Sequence, residues 1–267
     1  MSTPKAIEYI TEYRLTWGEF NSIPEDQRAA LSVASYAVSE INTLARLYML
    51  SWQNVEGNEV VDQFIFQQSN VLLRLFSAKI FEFSQLVNLK DKDNKTSDEI
   101  VRGLFQDANR EFDKLKARKG YKLAMFVRHE ASSHYRLKPA RENLASVSEN
   151  ARLSLCVHKH NANTVHPLGE ESMFIGRLNR ADKAANTKEE KIELHKEWYQ
   201  WNLDATDWVN NTFEQLVQKV VLNRFPKKSA RRNPHWVEPK LVAELEEVKI
   251  PVFLRLNRRK EGRNDAV

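Results

Sequence analysis

Apolar side chains recur every three or four positions through residues 24–52, 59–89 and 188–222, and scarcely a glycine or proline interrupts them. That period matches the α-helical turn of about 3.6 residues and paints one apolar stripe along each segment. The 267 residues include 7 Gly and 8 Pro, too few turn-formers for a many-stranded sheet. Long amphipathic helices bury their stripes against one another. The expected fold is therefore all-α, an antiparallel helical bundle, and the chain is long enough to give it a real core.

The punctuation divides the chain. Pro24-Glu25-Asp26 opens a helix bearing Leu31, Ala34, Val38, Ile41, Ala45 and Tyr48. Gly57 breaks it, and a second helix follows with Phe64, Ile65, Phe76, Ile80, Phe83 and Val87. Thr96 or Ser97 is the expected cap of a third, which carries Val101, Leu104, Phe105, Ala108, Phe112 and Leu115 and ends at Gly120 in a left-handed turn. A fourth is expected over Lys122–Leu137, stopped by Pro139. Alternation at Arg152–Val157 and at Met173–Ile175 suggests a loop or small hairpin around residues 158–169. In the last long helix Trp198, Trp201, Trp208 and Phe213 fall at core spacing. Past Pro226 a short helix is expected at 239–247 and a strand at 252–256. This gives an N-terminal segment (1–23), a bundle (24–222, with an insertion at about 139–187) and a basic C-terminal appendage (223–267).

Charge is unevenly spread. The net charge is +5, yet residues 114–141 hold nine Lys/Arg and a single acid, Glu130, while residues 224–267 hold 12 Lys/Arg against 6 acids. The remainder is strongly acidic. Two basic regions on an acidic body imply a defined polyanion surface, for which RNA is the expected partner. The candidate RNA-binding cations are Lys116, Arg118, Lys119, Lys122, Arg136 and Lys138. The lone Cys156 excludes an intrachain disulfide and fits a reducing compartment. Met1–Tyr13 lacks the apolar core of a signal peptide, and no run approaches the roughly 20 apolar residues of a membrane span. A cytoplasmic protein without membrane contact is expected. There is no Walker A loop, dinucleotide fingerprint or nucleophile elbow, so chemistry on those scaffolds has no support.

Within the first basic region lies Arg128-His129-Glu130-Ala131-Ser132-Ser133-His134, directly after the apolar run Leu123–Val127. An imidazole in a cationic groove can move a proton near neutral pH while the field gathers a phosphodiester. An Arg, a polar residue and a His six positions after the Arg resemble the signature of the HEPN family (higher eukaryotes and prokaryotes nucleotide-binding domains). The resemblance spans about residues 24–222. It implies an all-α bundle and a metal-independent endoribonuclease of a prokaryotic defence system, whether abortive infection or toxin–antitoxin, needing no cofactor. It further implies a composite site across a homodimer and an antitoxin or defence protein as partner. Arg128 and His134 would be the catalytic pair and His129 the auxiliary polar residue. Glu130, one turn before His134, would orient its ring. Some members carry a tyrosine two positions after the histidine; here Arg136 stands there and Tyr135 adjoins His134.

Two other readings compete. A non-catalytic helical module could hold RNA or protein on the same basic surfaces. A metal-binding regulator could use Cys156, His158, His160 and His166, although their spacing matches no standard zinc module and no resident metal is expected. In the tail, His235 and Trp236 lie among Lys/Arg clusters able to grip RNA phosphates.

Overall fold

A computed structural model of the protein describes residues 9–52, 58–128, 137–158, 163–181, 187–230, 233–238, 241–245 and 247–253. Helix dominates them, as the periodicity demands. In chain order the elements are β1 (Tyr9–Glu12), α1 (Trp17–Ser22), α2 (Glu25–Ser51), α3 (Glu59–Leu86), α4 (Glu99–Lys116), α5 (Tyr121–Phe126), α6 (Leu137–Leu144), α7 (Pro167–Glu170), α8 (Gly176–Arg180), α9 (Lys188–Val217), α10 (Pro226–Ala230) and β2 (Asn233–Trp236). A 3-10 turn at Lys92–Asn94 precedes α4, and π-turns at Glu171–Ile175 and Gln218–Leu222 follow α7 and α9.

The helices start where side-chain oxygens take up free backbone N–H groups. Asn58 accepts from Val60 and Val61, and Thr187 forms a reciprocal capping box with Glu190. The cap of α4 is Asp98, which accepts from Val101, one position beyond the expected Ser97. The core is one cluster built from the inward stripes of α2, α3, α4, α5 and α9. Helix α9 touches all four of the others, and its tryptophans explain why. Trp198, Trp201 and Trp208 are buried, and each indole N–H has an acceptor: Ser77 Oγ at 2.7 Å, Leu115 O at 3.1 Å and Ala108 O at 3.0 Å. Each ring thus buries a large apolar area without leaving a donor unpaired. Leu115 is in the last turn of α4, where its carbonyl also accepts from the Arg118 amide at 3.1 Å, so Trp201 ties α9 to the helix end. This is the core role expected of the tryptophan stripe.

Several local expectations fail. The helix expected over Lys122–Leu137 lies partly outside the described residues: α5 covers Tyr121–Phe126, and Val127 and Arg128 continue it as a π-turn. The expected stop at Pro139 is absent, because Pro139 lies inside the first turn of α6, where proline loses no hydrogen bond. Among its described residues the insertion carries no hairpin; it holds α6, α7, a π-turn and α8. Residues 151–158 carry no regular structure, and Met173–Ile175 belong to a π-turn packed on α6 and α8. Described residues in 239–247 form no helix beyond an isolated 3-10 residue, Val252 and Phe253 are bends, and 254–256 lie outside the described residues. The tail also returns to the bundle. β2 pairs antiparallel with β1, the Ile250 amide donates to Leu50 O at 2.8 Å, and Phe253 meets Phe64 at 5.2 Å between ring centroids.

Candidate functional site

The motif helix is positioned by a glycine. Gly120 has φ of +84°, and a Cβ built there would lie 2.3 Å from Glu197 O and 2.9 Å from Trp201 Cβ. Only glycine satisfies both the left-handed turn and the close approach to α9. α5 therefore leaves α4 flush against α9, burying Leu123, Ala124 and Val127. The next residue is Arg128. It is half-buried, with its guanidinium 5.5 Å from the Phe81 ring centroid. Phe81 in turn stacks on Trp201 at 5.4 Å and 21°. The arginine thus rests on a rigid aromatic pile, a placement that favours a cation and limits its rotamers.

His129, Glu130, His134 and Arg136 lie outside the described residues, so of the four candidate catalytic groups Arg128 alone is described. The chain returns at α6, whose exposed Lys138 faces solvent, as does Lys122 on α5. The other three candidate RNA-binding cations have acidic partners. Lys116 pairs with Asp113 at 2.6 Å and also lies over the Phe112 ring; Lys119 pairs with Glu197 at 3.2 Å, and Arg118 with Asp204. A segment that is strongly basic in sequence is thus partly neutralised by α9.

The neighbouring groove between α4 and α9, about 1060 Å³, follows the same pattern. Asp107, Glu111, Asp204, Asp207 and Glu214 line it against Arg110, Lys114 and Arg118, so it is no cationic channel.

Two clusters escaped the sequence reading. On α3, two turns before Phe81, Arg74 makes a largely buried bidentate pair with Glu170 at 2.8 and 3.2 Å. Asn70 also donates to Glu170, and Phe174 lies 4.8 Å below the guanidinium. Arg74 and Phe81 are seven residues apart, hence on one face of α3 and about 10 Å apart along its axis. Arg74 locks α7 onto the face that also seats Arg128. The second cluster surrounds His195 on α9. Its Nε2 lies 3.3 Å from the Tyr48 hydroxyl, with Trp52, Phe66 and Trp198 around the ring. Burial pushes the imidazole pKa down to about 4 and the Tyr48 hydroxyl well above its usual value. The available signal was register: His195 precedes Trp198 by one turn and so shares its inward face.

The histidine loop is not assembled as a metal cage among the described residues. Cys156 is half-buried, His158 Nδ1 meets the Asn163 amide at 3.4 Å, His166 is exposed at the start of α7, and His160 lies outside the described residues. No group of three or more His, Cys, Asp or Glu able to hold a metal occurs among the described residues, and no helix there is long and apolar enough to cross a membrane. No family model, no curated protein and no solved structure matches the chain.

Proposed function

We propose that the protein is a HEPN-like, metal-independent endoribonuclease of a prokaryotic defence or toxin system, acting in the cytoplasm as a homodimer. One observation carries the reading. Arg128, the first residue of the motif, is half-buried on the Phe81–Trp201 pile directly after a helix that Gly120 docks on α9. A solvated arginine needs no such seat; one that must meet a phosphate in fixed geometry does.

The chemistry is transesterification within the RNA. A base takes the proton of a 2′-hydroxyl, and the oxygen attacks the adjacent phosphorus. The P–O5′ bond breaks, and an acid protonates the departing 5′-oxygen, leaving a 2′,3′-cyclic phosphate. His134 serves as base or acid, Glu130 orients it, and His129 assists. Arg128 offsets charge developing on the phosphorane. One chain supplies one His134, and a two-fold partner supplies the second proton-transfer group.

The test is cleavage of RNA in excess EDTA. Cyclic-phosphate ends should appear, His134→Ala should abolish them, and Arg128→Ala should lower the rate by about 100-fold or more. Cleavage that survives His134→Ala, or that requires an added divalent ion, sinks the mechanism. When His134→Ala is mixed with wild type, activity should fall faster than the wild-type fraction if both copies are needed.

The second reading, a non-catalytic binding module, draws on the exposed Leu153, Leu155 and Val157 in the irregular stretch 151–158. Alternating apolar side chains facing water suit an extended protein partner, such as an antitoxin. Co-purification that is lost on Leu155→Asp, from a protein inactive in the cleavage assay, would favour it.

A further inference from the structure

Two segments far from Arg128 in sequence, β1 and β2, meet and leave an unusual corner. β1 and β2 form a two-stranded ribbon with Ile10 opposite His235 and Thr11 opposite Pro234. Alternation places Ile10, Glu12 and His235 on one face, and Thr11, Pro234 and Trp236 on the other. His235 Nε2 closes the first face on Glu12 at 2.9 Å. On the second, Trp236 is 65% exposed, and Trp17, which opens α1, is 76% exposed. They are the most exposed of the six tryptophans in a chain that buries Trp198, Trp201 and Trp208.

Cations lie on the same segments. Lys228 bonds Glu19 at 3.0 Å and the Arg14 carbonyl. Of the nearby acids, Glu12 and Glu19 are engaged by His235 and Lys228, and Glu238 follows Trp236 by two positions. Arg14, Arg224 and Lys227 are exposed and form no ion pair among the described residues; Arg224 donates only to the Ser22 carbonyl, at 3.3 Å. Trp17 follows Tyr9, which is opposite Trp236, by eight positions, a reach of at most about 28 Å. A few nucleotides cover that distance.

We infer that this corner is a platform for single-stranded RNA, with Trp17 and Trp236 stacking on bases while Arg14, Arg224 and Lys227 meet phosphates. Largely exposed indoles, with cations that form no ion pair on the same chain segments, are what sequence-tolerant strand binding requires. A bilayer surface would call for a contiguous apolar face, whereas here exposed Arg14, Thr16 and Pro234 share the segments that carry the two indoles. The choice of RNA over other single strands rests on the ribonuclease reading; the stacking geometry does not.

The experiment titrates the full-length His134→Ala chain with a short fluorescein-labelled oligouridylate, following both anisotropy and tryptophan quenching. Trp17→Ala and Trp236→Ala should each weaken binding about tenfold, and the double variant more, because stacking on one base is worth roughly 1–3 kcal/mol. Trp236→Phe should recover most of the affinity, and the exposed positions should leave the thermal unfolding curve unchanged. Arg224→Gln and Lys227→Gln should each flatten the log–log salt dependence by close to one unit. A double tryptophan variant that binds like its parent overturns the platform. So does an equal loss of heparin binding, which would mean charge without stacking, or binding to phosphatidylserine vesicles with none to the oligonucleotide. The two readings fail separately. Wild type that binds through these tryptophans yet never cleaves in EDTA refutes the ribonuclease alone. Tryptophan variants that bind and cleave normally refute the platform alone.

Discussion

At His195 a single proton is coupled to the whole core. The ring is buried among Tyr48, Trp52, Phe66 and Trp198, and burial lowers its pKa from an ordinary 6.5 to about 4. Between those values the unfolded chain binds a proton that the folded chain refuses, so stability falls as pH drops through this window and is regained above it. For this group the loss between pH 7 and pH 5 amounts to about 2 kcal/mol. Urea denaturation at the two pH values should show it. In His195→Phe, which keeps an aromatic ring but has nothing to protonate, the pH-dependent loss should shrink by that amount. An unchanged pH dependence would mean that His195 protonates freely in the folded protein. Arg128 is the other residue on which much depends. Its place in a motif was legible because the signature is local. Its seat on Phe81 was not, because that contact joins α5 to a helix 47 positions earlier in the chain.

Elements differ in how openly the sequence declares them. α2, α3, α4 and α9 are long enough for a 3.6-residue period to stand out, and their inward residues are those the stripes pick out. Short elements lack that signal. β1 and β2 have four residues each and lie more than two hundred positions apart, so only tertiary pairing reveals them. Around α7 and α8, a π-turn lets three short helical pieces follow one another where apolar alternation suggests strands. Gly120 was legible as a left-handed turn, but not as the point where α5 meets the Glu197 carbonyl. That double constraint can be tested. Gly120→Ala should cost about 2–4 kcal/mol, combining positive-φ strain with displacement of α5, and should depress RNA cleavage by moving Arg128. Gly103→Ala, in α4 with nothing within 4 Å of the added Cβ, should be neutral or stabilise by up to about 1 kcal/mol. Equal effects in guanidinium unfolding would show that the α5–α9 approach is soft.

At the scale of the whole molecule, charge in the sequence overstates charge in space. The nine cations of residues 114–141 read as a continuous basic groove because acids are nearly absent from that stretch. Folding brings the missing acids from α9: Glu197 onto Lys119 and Asp204 onto Arg118. Such exposed pairs contribute little to stability, typically about 0–1 kcal/mol, because water and salt screen them. They matter more for long-range attraction, since a cation already neutralised adds little to the field that gathers a polyanion. The arrangement predicts a gain of function. Replacing Glu197 with Gln and Asp204 with Asn frees two cations beside Lys122 without touching Arg128. RNA should then bind more tightly at low salt, and the log–log salt slope should steepen by up to about two units, as each newly engaged phosphate releases its counterions. The melting temperature should barely move. If affinity and slope both stay at wild-type values, RNA does not approach along α5. The terminal ribbon with Trp17 and Trp236 would then be left as the principal RNA contact, and the acids of α9 would serve only to restrain the basic segment.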